Sequence, residues 1–225
     1  MRTAPRLRFG PTVRVPSLFA GFFVIGFAIV CLLKSRLGLP PWDVLHQGIA
    51  RHSPLTIGTA SIVVGLVVLV VAWVLGQPPG WGTVANAIVI GLAVDLFLAI
   101  DAIGGLVVEP LALRMLLVVV GVALFGIGTA MYIGAGVGAG PRDSLMLSGA
   151  RRTGARIAVV RFSMEATVVL TGFLLGGTVG IGTLAFALLI GPAVEGCFWL
   201  LTRLGLAATT PVPEIGDGPA LTDLA

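Results

Sequence analysis

Six long apolar stretches, at 17–33, 55–75, 84–100, 113–133, 157–175 and 183–201, dominate the chain, and polar residues gather between them. An α-helix rises about 1.5 Å per residue, so roughly 20 residues cross the hydrocarbon of a bilayer. The pattern predicts an all-α polytopic membrane protein with about six transmembrane helices. The first stretch is short, but Lys34 follows it, and a lysine stem can carry its charge out to the interface. The basic segment before it resembles a secretion signal. Lys34-Ser35-Arg36 stands where a small-residue cleavage site belongs, so this first helix is expected to be retained. The intervals 34–54 and 134–156 are long enough to hold a short interfacial or re-entrant helix. Residues 205–225 carry Pro, Gly and the acids Glu214, Asp217 and Asp223, and are expected to form a flexible tail.

The stretches repeat. Displacing the chain by 100 positions gives a gapless self-match with 22 identities over positions 14–99. Gly38, Pro41, Asp43, Leu45, Ala50 and Arg51 recur as Gly138, Pro141, Asp143, Leu145, Ala150 and Arg151, and Gly82, Thr83 and Gly91 recur as Gly182, Thr183 and Gly191. Asp95 faces Glu195 in the same register, an acid for an acid. Each unit, 17–110 and 111–204, holds three spans, so the second enters the membrane from the opposite side to the first. Two three-helix repeats of inverted topology are the plan of many transporters, although duplication also builds channels and structural bundles.

Composition agrees with membrane insertion. The chain has 225 residues, 57% hydrophobic and 11% charged, with a mean hydropathy of +1.08; soluble domains carry about a quarter charged residues. The net charge is +4, and in a soluble protein that would raise nucleic acid as a partner. Here the basic residues flank the apolar runs, which points to anionic lipid and topology, and no nucleic-acid partner is expected. Ten basic residues (Arg2, Arg6, Arg8, Arg14, Arg142, Arg151, Arg152, Arg156, Arg161, Arg203) fall on the side of the termini, against four (Lys34, Arg36, Arg51, Arg114) on the other. That bias predicts a multi-pass protein of the cell membrane with both termini cytoplasmic. Trp42, Trp73, Trp81 and Trp199 lie near span ends, as an aromatic belt would place them. Cys31 and Cys197 sit in apolar runs without disulfide or metal spacing, and read as small buried hydrophobes.

Chemistry concentrates at few positions. Pro41 and Asp43, and Pro141, Arg142 and Asp143, open matched segments; each aspartate reads as a helix N-cap, or as a mark at one mouth of a symmetric cavity. Gly82-Thr83 and Gly182-Thr183 read as helix starts with a capping threonine. Charges inside spans are expensive, about 2.5–3.5 kcal/mol at a helix centre on translocon scales, and normally face a bundle interior. Asp95 and Glu195 are the strongest such pair, as a buried site or a structural pairing. Arg161 and Glu165, four apart on one helix face, can neutralise each other. Asn86, matched by Phe186, is a helix contact or a substrate contact. His46 and His52 lack a third ligand of metal spacing, and His46 is expected to be solvated or capping. Neither HExxH, GxSxG nor a P-loop occurs, so catalysis has no local support, and no cofactor or metal is expected.

Pro41-Trp42-Asp43 with Gly82-Thr83, and Gly140-Pro141-Arg142-Asp143 with Gly180-Ile181-Gly182-Thr183 and Gly191-Pro192, resemble the YczE/YyaS/YitT-type bacterial membrane proteins, closest to the YczE branch, over residues 15–204. The resemblance implies a multi-pass protein of the bacterial cell membrane and supplies no catalytic residues. The leading expectation is a permease or exporter of an unidentified small solute or ion. A non-transporting scaffold or accessory protein is the alternative, and a lipid-acting membrane enzyme a second. Membrane lipids are expected partners, and homo-oligomerisation is left open.

Overall fold

A computed structural model describes residues 5–8, 10–104, 110–138 and 140–208. Arg2, Ala139 and the tail from 209 onward, with its three acids, lie outside the described residues. Eight helices carry the fold among them: α1 (Pro11–Ser35), α2 (Pro41–Arg51), α3 (Ile57–Val74), α4 (Trp81–Ala99), α5 (Leu111–Ala135), α6 (Pro141–Thr153), α7 (Ile157–Leu174) and α8 (Ile181–Arg203). All but α2 and α6 are long and apolar enough to cross a membrane. The two short helices fill the intervals expected to hold them. Helix starts recur at a spacing of 100 residues in the three matched pairs besides α1 and α5: 41/141, 57/157 and 81/181. α1 and α5 start at 11 and 111, so the register holds there too.

Local chemistry explains the boundaries. Proline opens α1, α2 and α6 at the first helical position, where its missing N–H is lost to nothing and its fixed φ suits the helix. α1 therefore begins six residues before the apolar run, because Arg14 and Pro16 lie in its first turns, where a charge and a proline are tolerated. Arg14 folds back to donate to the Leu7 carbonyl at 2.8 and 3.1 Å. The capping expectations for the matched motifs need correction. Asp43 and Asp143 are third in their helices, not N-caps; Pro40 and Gly140 hold the cap positions. Thr83 and Thr183 are likewise third, behind Gly80 and Gly180. From that position Thr183 still caps α8, its hydroxyl accepting from the Gly180 N–H at 3.3 Å. Both threonines are buried.

α1 and α5 form the central pair, flanked by α4 on α1 and α8 on α5. The short helices cross over: α2 packs on α7 and α6 on α3. Residue contacts repeat as well, some within each half and others exchanged between the halves. A Cβ on Gly26 would meet the Ala93 methyl at 2.6 Å, and one on Gly126 the Ala193 methyl at 2.9 Å. Gly38 and Gly138 have φ of +123° and +142° and abut the hydroxyls of Thr183 and Thr83, so each needs glycine both for its backbone and for its space. Arg51 of α2 donates to the Gly176 carbonyl just beyond α7, and Arg152 of α6 to the Val74 carbonyl at the end of α3. Long-helix ends with orphan carbonyls are thus covered by arginines from the other half.

Apolar packing between the halves includes Phe22 against Tyr132, with ring centroids 5.9 Å apart, and within the second half Phe125 lies edge-on to Phe186 at 4.9 Å. Residues 205–208, expected to belong to a flexible tail, are ordered: β2 (Ala207–Ala208) pairs antiparallel with β1 (Arg6–Leu7). The pairing brings both ends of the described chain to one end of the bundle, as an even number of crossings requires.

Candidate functional site

A cavity of about 560 Å³ lies between the halves. The N-terminal parts of α2 and α6 both reach it, through Pro41, Trp42 and His46 and through Pro141, Arg142 and Asp143. α4 contributes Asn86, α5 Tyr132, α7 Arg161 and Glu165, and α8 Phe186 and Glu195.

Trp42 and Arg142, matched across the repeat, meet here: the guanidinium carbon sits 4.9 Å from the indole centroid. Trp42 is 8% exposed, so it belongs to the interior and not to the aromatic belt expected for it. Trp73, Trp81 and Trp199 are all exposed, as a belt requires. Behind the stack, Asp43 and His46 are each 1% exposed, with His46 Nδ1 3.0 Å from Asp43 Oδ1. His46 is therefore not the solvated residue expected. Burial holds its imidazole below the usual 6.5, so at neutral pH the ring is uncharged and Nδ1–H donates to the carboxylate. Asp43 Oδ2 has no hydrogen-bond partner among the described residues; its charge acts on Arg142.

Burial lowers the pKa of Arg142, and the negative charges of Asp43 and Asp143 oppose that shift; a guanidinium keeps its proton regardless. Burial raises the Asp143 carboxyl above its usual 3.8, against the pull of Arg161 and Arg142 and a hydrogen bond from the Tyr132 hydroxyl. Arg161 closes the series on Glu165, Nε to Oε1 at 2.9 Å, which is the pairing expected from their spacing. Acid and base thus alternate from Asp43 through Arg142, Asp143 and Arg161 to Glu165. Opposite charges act on one another along the cavity, with Arg161–Glu165 the direct ion pair among these residues, which offsets part of the cost of placing charge there.

The matched acids do not come together. Glu195 lines the cavity, is exposed, and has no hydrogen-bond or ion-pair partner among the described residues. Asp95 is outside the cavity lining and closes the start of α3. Its Oδ1 accepts from the Gly58 N–H at 2.9 Å, and its Oδ2 from the hydroxyls of Thr56 and Thr59. Gly82, Thr83, Gly182 and Thr183 also lie outside the cavity lining. A Cβ on Gly82 would meet the Val137 carbonyl at 2.8 Å, and one on Gly182 the Gly38 carbonyl at 2.8 Å; these positions pack helix starts against the opposite half.

The two halves differ in how their outer helices meet. α3 and α4 pack closely, whereas α7 and α8 are nearly without contact. A Cβ on Gly91 would lie 2.5 Å from the Gly58 carbonyl, but one on Gly191 meets nothing within 4 Å. Gly58 and Gly91 are buried, and their counterparts Ala158 and Gly191 are exposed. The sequence supplies a reason. Pro192 sits inside α8 where α4 has Leu92, and its missing N–H removes the hydrogen bond back to Leu188. The cavity is lined along this parting, by Arg161, Met164 and Glu165 on one side and Gly191, Val194 and Glu195 on the other.

Sequence reasoning missed Trp42, Tyr132 and His46 as cavity residues. An available signal was that tryptophan and arginine stand at one matched position, and that Tyr132 is the chain's single tyrosine.

No solved structure matches the chain. It is 41% identical over 183 residues to an uncharacterized protein of Haemophilus influenzae, covering 80% of this chain and 81% of that one. It is 33% identical over 180 residues to the uncharacterized membrane protein YczE of Bacillus subtilis, covering 77% and 80%. To the uncharacterized protein YyaS of the same organism it is 25% identical over 193 residues, covering 82% and 96%. The model of a family of unknown function, DUF6198, matches residues 12–198, and with six membrane-length helices beside that match, the chain belongs to this family of membrane proteins.

Proposed function

We propose that the protein is a permease or exporter of a small solute or ion in the cell membrane. In this reading two three-span halves of opposite orientation enclose one site, and both termini are cytoplasmic. The observation that carries the reading is the cavity itself. It is lined from both halves, is reached by the short helices α2 and α6, and holds Arg142, Asp143, Arg161, Glu165 and Glu195. Ionisable groups inside a membrane bundle are expensive and mark pathways, and binding sites at the interface of inverted repeats use such discontinuous segments. The exchanged glycine and arginine contacts support the inverted arrangement, and the shared end of β1 and β2 supports termini on one side. Asp95 has no place in this site; its role is to cap α3.

The test compares metabolites in cells and medium for a deletion strain, a strain expressing the unaltered protein, and one expressing Glu165→Gln/Glu195→Gln at equal membrane level. A solute that accumulates on the same side in the deletion and the double variant is the expected result. A deletion phenotype fully corrected by the double variant would sink the transport reading.

A second reading has its own support: the apolar faces of α7 and α8 are the least buried of the six spans, as in a scaffold awaiting a partner. It predicts that full correction.

A further inference from the structure

We propose that α7 and α8 close on one another as α3 and α4 do, and that Glu195 then docks on the start of α7 beside Arg156, as Asp95 docks on the start of α3. The proposal rests on the transport reading, and it identifies the gate at each end of the cavity.

Matched residues, observed in two conditions of the same element pair, lead to it. On the closed side Gly58 and Gly91 are in backbone contact, Ile62 lies over Gly91 with Cγ1 2.6 Å from a Cβ built there, and Asp95 holds the first turn of α3. On the parted side Ala158, Phe162 and Gly191 are exposed, and Glu195, one residue position for one with Asp95, is unpartnered. Small residues stand at 158 and 191, both exposed, with open space where a Cβ on Gly191 would lie, as suits a surface that at times meets another helix. The start of α7 also differs in a way that suits a carboxylate. Where α3 has Thr56 to share Asp95, α7 has Arg156, an exposed cation at its N-cap position. A glutamate reaches one carbon further than an aspartate, and an arginine offers it a bidentate partner. The N-terminal end of a helix adds its own positive potential.

The order of the helices sets the sense of the motion. α7 begins and α8 ends at the end of the bundle that carries β1 and β2, while α3 begins and α4 ends at the opposite one. The structure is thus shut by Asp95 at one end and parted beside Glu195 at the other. Exchange of the two conditions moves the opening from one face of the membrane to the other. Pro192, which lacks the N–H that would hold the ladder there, gives α8 a place to flex.

The experiment places cysteines at Phe162 and Gly191, with Cys31 and Cys197 replaced by alanine, in membranes from expressing cells. Ile62 over Gly91 shows that these positions meet on closure, and a cysteine at 162 leaves room for the sulfur at 191. Under mild oxidant a disulfide within one chain is expected, read as loss of labelling by a maleimide reagent at unchanged monomer size. Adding Glu195→Gln or Arg156→Gln should slow its formation at least fivefold, and the exchanged pair Arg156→Glu/Glu195→Arg should restore it. Two freely labelled cysteines under every condition, or a disulfide found only between two copies, would overturn the closure. A disulfide formed at the same rate in the Glu195→Gln background would overturn the latch. Failure here is separable from failure of the transport reading: a disulfide that forms while the metabolite profile ignores the cavity variants keeps the closure and removes transport. A responsive profile with no disulfide does the reverse.

Discussion

Arg142 lies over Trp42 at 4.9 Å, and the two occupy the same place in the two halves of the chain. Residues at one matched position can touch only where the halves meet, so this stack marks the seam between them. It is also where a delocalised cation lies over a ring face within the fields of Asp43 and Asp143. Removing either partner has different consequences. Trp42→Ala takes away the ring, worth about 0.5–2 kcal/mol as a cation–π contact, and leaves a cavity that adds to the loss. Arg142→Ala removes the stack and also the cation whose field acts on Asp43 and Asp143, so it should cost more than the ring alone. Arg142→Lys keeps the charge and loses the planar stack. Thermal unfolding in detergent should rank stability as unaltered, then Arg142→Lys, then Arg142→Ala. A lysine variant as damaged as the alanine one would mean the charge contributes nothing there.

Asp95 and Glu195 are matched acids in opposite circumstances, and their amides should separate cleanly. Asp95→Asn weakens three hydrogen bonds to a charged acceptor, each worth roughly 1.5–3 kcal/mol in general, though asparagine retains part of them. Thr56→Ala removes the N-cap of α3, whose hydroxyl accepts from the Thr59 N–H at 3.0 Å, a loss of about 1 kcal/mol. Glu195→Gln removes no contact and should unfold within about 0.5 kcal/mol of the unaltered protein, as uncommitted surface changes do. Equal destabilisation by both amides would contradict the difference between the two sites.

Much of this architecture is legible in the chain because it follows from local rules. Apolar runs give the spans, Pro41 and Pro141 start the short helices, and the register of 100 residues anticipates where α7 and α8 begin. The Arg161–Glu165 pair follows from helical spacing alone. What cannot be read is anything set by contact between halves. Trp42 near a span end looks like a belt residue until α6 brings Arg142 onto it. His46 looks solvated until it is buried against Asp43. Asp95 and Glu195 look equivalent by register, and only the packing of α3 on α4 makes one a cap. Even so, Thr56, Gly58 and Leu92 against Arg156, Ala158 and Pro192 were visible departures from the repeat, at the places where the halves differ.

Gly91 and Gly191 test that asymmetry directly. A methyl at 91 has no room, lying 2.5 Å from the Gly58 carbonyl and 2.6 Å from Ile62 Cγ1. Gly91→Ala should destabilise by about 1–3 kcal/mol, the usual effect of overpacking. Gly191→Ala has open space around it and gains helix propensity, up to about 1 kcal/mol. Its melting temperature should stay level or rise. Comparable losses in both variants would show that α7 and α8 rest together, not apart.

His46 supplies the pH dependence. Burial depresses its pKa in the fold below the 6.5 of an exposed imidazole, so the folded state binds fewer protons than the unfolded chain between those two values. Its contribution is therefore fully present above about pH 6.5 and is lost as pH falls toward the depressed value, with a slope of at most about 1.4 kcal/mol per pH unit. Asp143 has the opposite sign. Burial raises its folded pKa, so its contribution is complete below 3.8 and is lost as pH rises from there. The difference between the unaltered protein and His46→Asn, whose amide can replace the Nδ1–H donor but cannot titrate, isolates the histidine. From pH 6.5 to 5 the unaltered protein should lose up to about 2 kcal/mol more than the variant. Denaturation curves of the two that run parallel over this interval would mean that protonation of His46 is no burden on the fold, and that the Asp43 carboxylate welcomes the charge.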